Sequence, residues 1–178
     1  TVYFNDFEIN DGGLMDSTSS PGSWRREWGW GNPTYINPPE GYYCWATAIE
    51  GDEKLEDYND LYLTIPKIKA KKARISFTAY LHEYDDNAYV QYRVLNGGWS
   101  NLAQHTSGYD WTNYQYSTVE EDSDSIQFRF YFDKNSQNNY SRGWYIDNLM
   151  LEKFQTSIIH EPHADTYNPY GPYQITAE

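Results

Sequence analysis

The stretch 125–133 reads SIQFRFYFD, and its alternation restricts the fold more than any other feature of the chain. Ile126, Phe128, Phe130 and Phe132 take every second position, with Gln127, Arg129 and Tyr131 between them. A strand sends successive side chains to opposite faces, so this pattern gives one apolar and one polar side; a helix would scatter the same residues around its circumference. The pattern recurs in ARISFTAYL (73–81), where Ile75, Phe77, Ala79 and Leu81 alternate with Arg74, Ser76, Thr78 and Tyr80. In AYVQYRV (88–94), Ala88, Val90, Tyr92 and Val94 alternate with Tyr89, Gln91 and Arg93. Strands of this kind belong to antiparallel sheets with one buried face.

Less regular strands are expected in VYFNDFEI (2–9), YYCWATAI (42–49), LYLTIPKI (61–68), YQYSTVE (114–120) and WYIDNLMLE (144–152). Turn residues separate them, as in Asp11-Gly12-Gly13, Asn32-Pro33, Pro38-Pro39-Glu40-Gly41, Asn96-Gly97-Gly98 and Ser107-Gly108. The one helical window, roughly 50–60, is nearly all polar and too short to stand alone. The expected class is therefore all-β: an antiparallel β-sandwich, most plausibly a jelly roll. It should occupy residues 1–154. Beyond that, 155–178 carries three of the chain's eight prolines and little alternation before Tyr173-Gln174-Ile175-Thr176, and reads as a linker into the start of a truncated following domain.

Charge excludes some functions. The 26 acids against 13 bases leave −13, the wrong sign for nucleic acid, which needs a basic face. The one basic cluster, Lys67, Lys69, Lys71, Lys72 and Arg74, reads as a turn and strand start whose lysines discourage edge pairing. No apolar run is long enough to insert in a membrane, and no lipidation motif or signal peptide is present. Because the chain opens directly into strand-like TVYFNDFE, it is expected to be a mature or excised fragment. Cys44 is the single cysteine, so no intrachain disulfide forms; between Tyr43 and Trp45 it reads as an inert core thiol. For an acidic secreted chain without that staple, bound calcium is the natural alternative.

Four segments follow in a telling order: FNDFE near the start, WGWGNP, a hairpin ending in GGW, and RGWYIDNLML. Over residues 4–152 this resembles the MAM-like jelly-roll modules of secreted prokaryotic multidomain proteins, which accompany immune-inhibitor-A-type peptidases and are related to the cleaved-adhesin domains of gingipain-type peptidases. The last segment is the most specific part. The resemblance implies a non-catalytic accessory module of a secreted or cell-surface protein, whose partners are the neighbouring domains of the parent chain. HEPHADTYNPYGPYQI looks like the junction opening an immunoglobulin-like domain in such chains. It also implies a calcium ion where the first and last strands meet, held by Glu8 and Asp147, with Asp6 able to join. Asn148 stands where many relatives carry a second aspartate. Independently, Asp6 and Glu8 are expected on one face of one strand, and Asp147 interrupts an apolar run where a lone acid is costly to bury without a cation.

The tryptophans leave a choice open. Trp28 and Trp30, two apart, are expected to point the same way, with Tyr35, Tyr42 and Tyr43 able to widen their face. Packing at one end of the sandwich is favoured for this pair; an indole platform for sugar rings is the alternative. Trp99 and Trp111 lie near turns, and for them the two readings stand level. The alternative function is thus a carbohydrate-binding module with an aromatic platform, its partner a glycan; a protein ligand also remains open. Catalysis finds no support. The adjacent acids Asp85-Asp86 and Glu120-Glu121-Asp122 point apart, and His160 and His163 lie in a proline-broken linker rather than on a zinc-binding helix. No nucleophile elbow, phosphate loop or Cys–His set is present.

Overall fold

The computed structural model describes residues 1–19, 28–47, 49–50, 60–82, 87–95, 97–133 and 142–154. Among them there is no helix, and there are twelve strands: β1 (Tyr3–Asn5), β2 (Met15–Thr18), β3 (Gly29–Gly31), β4 (Cys44–Ala46), β5 (Asp60–Thr64), β6 (Ile68–Lys69), β7 (Ala73–His82), β8 (Asn87–Val94), β9 (Ser100–His105), β10 (Thr112–Ser117), β11 (Ser125–Asp133) and β12 (Gly143–Lys153). They form two antiparallel sheets, the sandwich that the alternation predicts. Sheet I runs β10-β7-β12-β4-β3, with β1 also on β12. Sheet II runs β2-β5-β11-β8-β9, with β6 also on β11.

Each face of each strand follows from its residue types. Ile126, Phe128, Phe130 and Phe132 are fully buried between the sheets, facing Ile75, Phe77, Trp144, Ile146 and Leu151 of sheet I. The contact is aromatic and edge-on: Phe130 meets Phe77 at 4.9 Å and 79°, and Trp144 at 5.4 Å and 84°. His105 closes one side of this layer, 5% exposed among Phe77, Tyr114, Tyr116 and Trp144. Burial without a charged partner holds its pKa down at about 4.

Four expectations shift. The first strand stops at Asn5 rather than Ile9, because short polar side chains capture the backbone: Asn5 Oδ1 accepts from Phe7 N at 2.6 Å, and Asp6 Oδ1 from Glu8 N at 3.3 Å. Phe7 consequently has φ 61°. The segment 61–68 divides into β5 and β6 at Pro66, which has no N–H for the ladder. YYCWATAI keeps only Cys44–Ala46 in the sheet. The polar edge strands β2 and β9 were not anticipated, because MDST and SNLAQH lack a clean apolar alternation. The window near 50–60 is outside the described residues except at its ends, and the tail 155–178, with His160 and His163, lies outside them entirely. The basic cluster disperses into local contacts: Lys69 pairs with Asp124, Arg74 with Glu152, and Lys72 and Arg74 sit over the Phe154 ring.

Candidate functional site

The acids proposed for a metal lie on the outer face of sheet I. On β12, Trp144 and Ile146 enter the core, so Asp147 is directed outward, opposite Thr78 on β7. It is nonetheless 0% exposed. Its Oδ1 accepts from Asn148 N at 2.7 Å, and its Oδ2 has no partner among the described residues. This carboxyl is lifted to about 7, chiefly by burial, with the Asn148 hydrogen bond opposing and the nearby charges of Glu8, Asp6 and Glu40 adding to the rise. The Cys44 thiol is pushed up by burial first, then by Asp147 and Glu8. It is a buried, inert thiol, as expected.

Asp6 and Glu8 do not share a strand face, because the chain has left the sheet there. Glu8 instead reaches across to the turn after Gly41, accepting from Tyr42 N at 2.9 Å and Tyr43 N at 2.9 Å. Gly41 has φ +68°, and a Cβ there would strike the Glu8 carboxyl group. Among the described residues, the non-glycine residues with positive φ are Phe7 (61°) and Asn148 (50°), each adjacent to at least one of these acids. A shift of register between Asp147 and Met150 marks the bulge that holds Asn148. Among the described residues, no three His, Cys, Asp or Glu side chains converge to hold a metal ion. What fits a cation is therefore chemical: a buried carboxylate oxygen, unpartnered among the described residues, with further acids around it.

The four tryptophans part company. Trp28 is core, 3% exposed, packed on Trp144 at 5.6 Å and Phe130 at 6.3 Å. Trp30 is paired with Trp45 on the neighbouring strand but lies at the free edge of sheet I, 36% exposed. It stacks on Tyr43 at 5.5 Å and donates its indole N–H to Phe7 O at 2.9 Å. Trp111 covers the outer face of sheet I, packing with Tyr80 and Tyr145 and donating to Asn37 O at 2.8 Å. Trp99 lies across the outer face of sheet II.

That second outer face holds an ordered polar and aromatic surface. Many of its residues are those the alternation assigned to the polar side of β8 and β11, joined by the outward positions of β5. Tyr62, Tyr131 and Tyr89 are cross-strand neighbours and stack in a row, at 5.1 Å and 5.6 Å. One step along, Arg129 lies over Tyr62 and over Trp99, each at 4.2 Å, and Arg93 lies over Trp99 at 4.6 Å. Burial lowers the Arg129 pKa, though the guanidinium stays charged. Two glutamines fix the arginines from beneath. Gln91 Oε1 accepts from Arg129 Nε at 2.7 Å while its Nε2 donates to Asn101 Oδ1 at 2.7 Å. Gln127 Oε1 accepts from Arg93 Nε at 3.0 Å and Nη2 at 2.7 Å while its Nε2 donates to Ile65 O at 3.1 Å. At the tyrosine end, Tyr131 OH donates to Asp60 Oδ1 at 2.9 Å, and Asn87 Nδ2 donates to Asp133 Oδ2 at 3.4 Å. Asp60 and Asp133 are neighbours on one surface, not acids opposed across a cleft. Sequence reasoning singled out Trp99 alone from this group; the arginines and tyrosines were legible only as the polar half of an alternation.

No protein-family model matches the sequence, and no curated protein matches it. Solved structures match in fold. The K1 cleaved adhesin domain of Lys-gingipain from Porphyromonas gingivalis superposes with a TM-score of 0.59 at 15% identity, covering 87% of this chain and 99% of that one. The xylan-binding CBM22-1 domain of Paenibacillus barcinonensis Xyn10C gives 0.54 at 12%, covering 86% and 96%. A family 61 carbohydrate-binding module solved with β-1,4-galactotriose gives 0.53 at 13%, covering 80% and 89%. At these identities the likeness is one of fold: this chain is a jelly-roll β-sandwich of the kind found in carbohydrate-binding and adhesin domains. The cleaved-adhesin side of the resemblance is met at that level.

Proposed function

We propose that this chain is a non-catalytic carbohydrate-binding module of a secreted or cell-surface multidomain protein, gripping its glycan on the outer face of sheet II. One observation carries the reading: Trp99, the tyrosine row and the hydrogen-bonded Arg–Gln lattice form a continuous aromatic and polar surface on one face of the sheet. Sugars need that mixture, since apolar ring faces stack on aromatic rings while hydroxyls exchange hydrogen bonds with planar polar groups. The fold likeness to modules solved as xylan-binding or with galactotriose supports it. Glycan titrations followed by tryptophan fluorescence test it. Binding in the range of about 10–1,000 μM is expected, as a few contacts of about 1 kcal/mol each permit. Trp99→Ala abolishes the response without unfolding; a folded chain that meets a broad glycan panel with no response contradicts the reading.

Calcium is the second element of the proposal. Asp147 and Glu8, with Asp6 close by, would hold one ion that ties the β1 end of the chain to β12. The unpaired Asp147 Oδ2 supports this, since an ion there relieves a buried charge. Attachment to a peptidase remains the narrower proposal drawn from the family resemblance; sequencing the flanking domains of the parent chain tests it.

A further inference from the structure

The chain carries a net charge of −13, yet the candidate glycan face holds two arginines side by side without a carboxylate bonded to either among the described residues. Their fixed partners are glutamine amides. Gln91 and Gln127 are 7% and 6% exposed, and each has its amide N–H engaged elsewhere, on Asn101 and on the Ile65 carbonyl. That second bond sets which end of each amide faces the arginine. A glutamate at either place would hold the guanidinium equally well and cancel its charge; a neutral amide orients it and leaves the charge standing. The free hydrogen-bonding capacity is large. Arg129 donates through Nε and Arg93 through Nε and Nη2, so among the described residues the remaining Nη edges are unused. Lys67 adds a third cation, lining a narrow cleft with Arg93, Leu95, Ser125 and Gln127. The opposite end of the same face is acidic, with Asp60 and Asp133 beside the tyrosine row.

The face is therefore polarised along β11, basic at Arg129 and at Arg93 opposite Gln127, and acidic at Asp133. We propose that it selects an anionic glycan: a pyranose bearing an oxyanion, either a uronate carboxylate or a sulfate ester, whose charge docks on the Nη edges of Arg129 and Arg93 while its hydroxyls reach the tyrosines and Asp60. Planar, bidentate recognition of an oxyanion is what a pre-oriented guanidinium does best. The overall negative charge of the chain does not oppose this strongly at physiological salt, where charges are screened beyond about 8 Å. This inference rests on the glycan-binding reading above.

The test is calorimetric titration of the whole chain with paired probes. Galacturonate, alginate and glucuronoxylan oligomers are each compared with their carboxyl-reduced counterparts, and sulfated galactan oligomers with desulfated ones. We expect the charged member of at least one pair to bind roughly tenfold tighter or more, in line with a charge-assisted bidentate contact. Arg129→Gln and Arg93→Gln should each collapse that ratio toward one, the charged member losing more affinity than its neutral counterpart; Arg129→Lys should retain part of it. A preference within a uronate pair assigns the anion as carboxylate, and one within the galactan pair assigns it as sulfate. Equal binding of charged and neutral members overturns the anionic selection and leaves the glycan face intact. A folded chain that binds none of the probes overturns both.

Discussion

The two outer faces of the sandwich began as the same thing, the polar half of an alternating pattern, and the fold uses them in opposite ways. The outer face of sheet I is closed over. Cys44, Ala46, Tyr80 and Tyr145 are buried there beneath Ile36, Ile49 and Trp111, and Asp147 is buried as well, its Oδ2 unpartnered among the described residues. The outer face of sheet II carries its charges in a lattice in which Gln91 and Gln127 each accept a hydrogen bond from an arginine and donate one elsewhere. Covering one face makes it a second small core and an ion-shaped problem. Leaving the other open makes it a surface on which ordered side chains can meet a ligand. The same residue type then means different things on the two sides: Trp111 seals, and Trp99 presents.

Substitutions should separate the faces. The largest effect is expected for Tyr145→Ala, which empties a site 1% exposed beneath the sheet I covering. Denaturant unfolding should show a loss of about 3–5 kcal/mol, the range for large aromatic truncations. Next comes calcium. An ion bound by the native state at a hundredfold excess over Kd adds about 2.7 kcal/mol, so chelation should lower the melting temperature by several degrees. Asp147→Ala should abolish that response; identical melting with calcium and with chelator would sink the metal proposal.

The pH dependence of the calcium effect has a definite sign. Without the ion, Asp147 titrates near 7 when folded, above its ordinary value of 3.8, so its contribution to stability falls as pH rises through that window. With the ion bound, ligation holds the carboxylate ionised, and the stabilisation is present at neutral pH and lost on acidification. His105 is held at about 4, below its ordinary 6.5, so acidification costs stability through that window in both conditions and cancels from the difference. The gap between calcium and chelator curves should therefore widen from acid to neutral pH. On the sheet II face the stability effects shrink: Trp99→Ala should change unfolding free energy by about 1 kcal/mol or less while removing glycan binding. Smallest is Gln127→Ala, which frees Arg93 from its support and should weaken binding only a fewfold, a change that titration resolves.

Much of this was legible in the sequence, for identifiable reasons. Phe128, Phe130 and Phe132 announce a buried face because strand periodicity is a local property that tertiary packing only confirms. Asp147 stood out because an acid inside an apolar run needs an explanation, and its burial supplies the need, though calcium itself remains a proposal. What could not be read was how strands lie side by side. Arg129 and Gln91 are far apart in sequence and become partners only through the register of β11 on β8; Tyr62 joins Tyr131 only through β5 on β11. The strand expected over 2–9 failed for the opposite reason, a local one: Asn5 and Asp6 capture backbone N–H groups and bend the chain out of the sheet. Trp28, just ahead of β3, resolved toward the core, and Trp30, within β3, to the sheet edge, because β3 is the last strand in the order of sheet I.

The most direct test of the account is to map a bound glycan by NMR, following backbone amides and indole N–H signals during titration. The account predicts that the Trp99 indole and amides of β5, β8 and β11 around Tyr62, Arg93, Arg129 and Tyr131 shift together, while the Trp111 indole, bonded to Asn37 on the covered face, stays in place. Shifts centred on Trp111, or on the Trp30–Tyr43 pair, with sheet II unmoved, would contradict it.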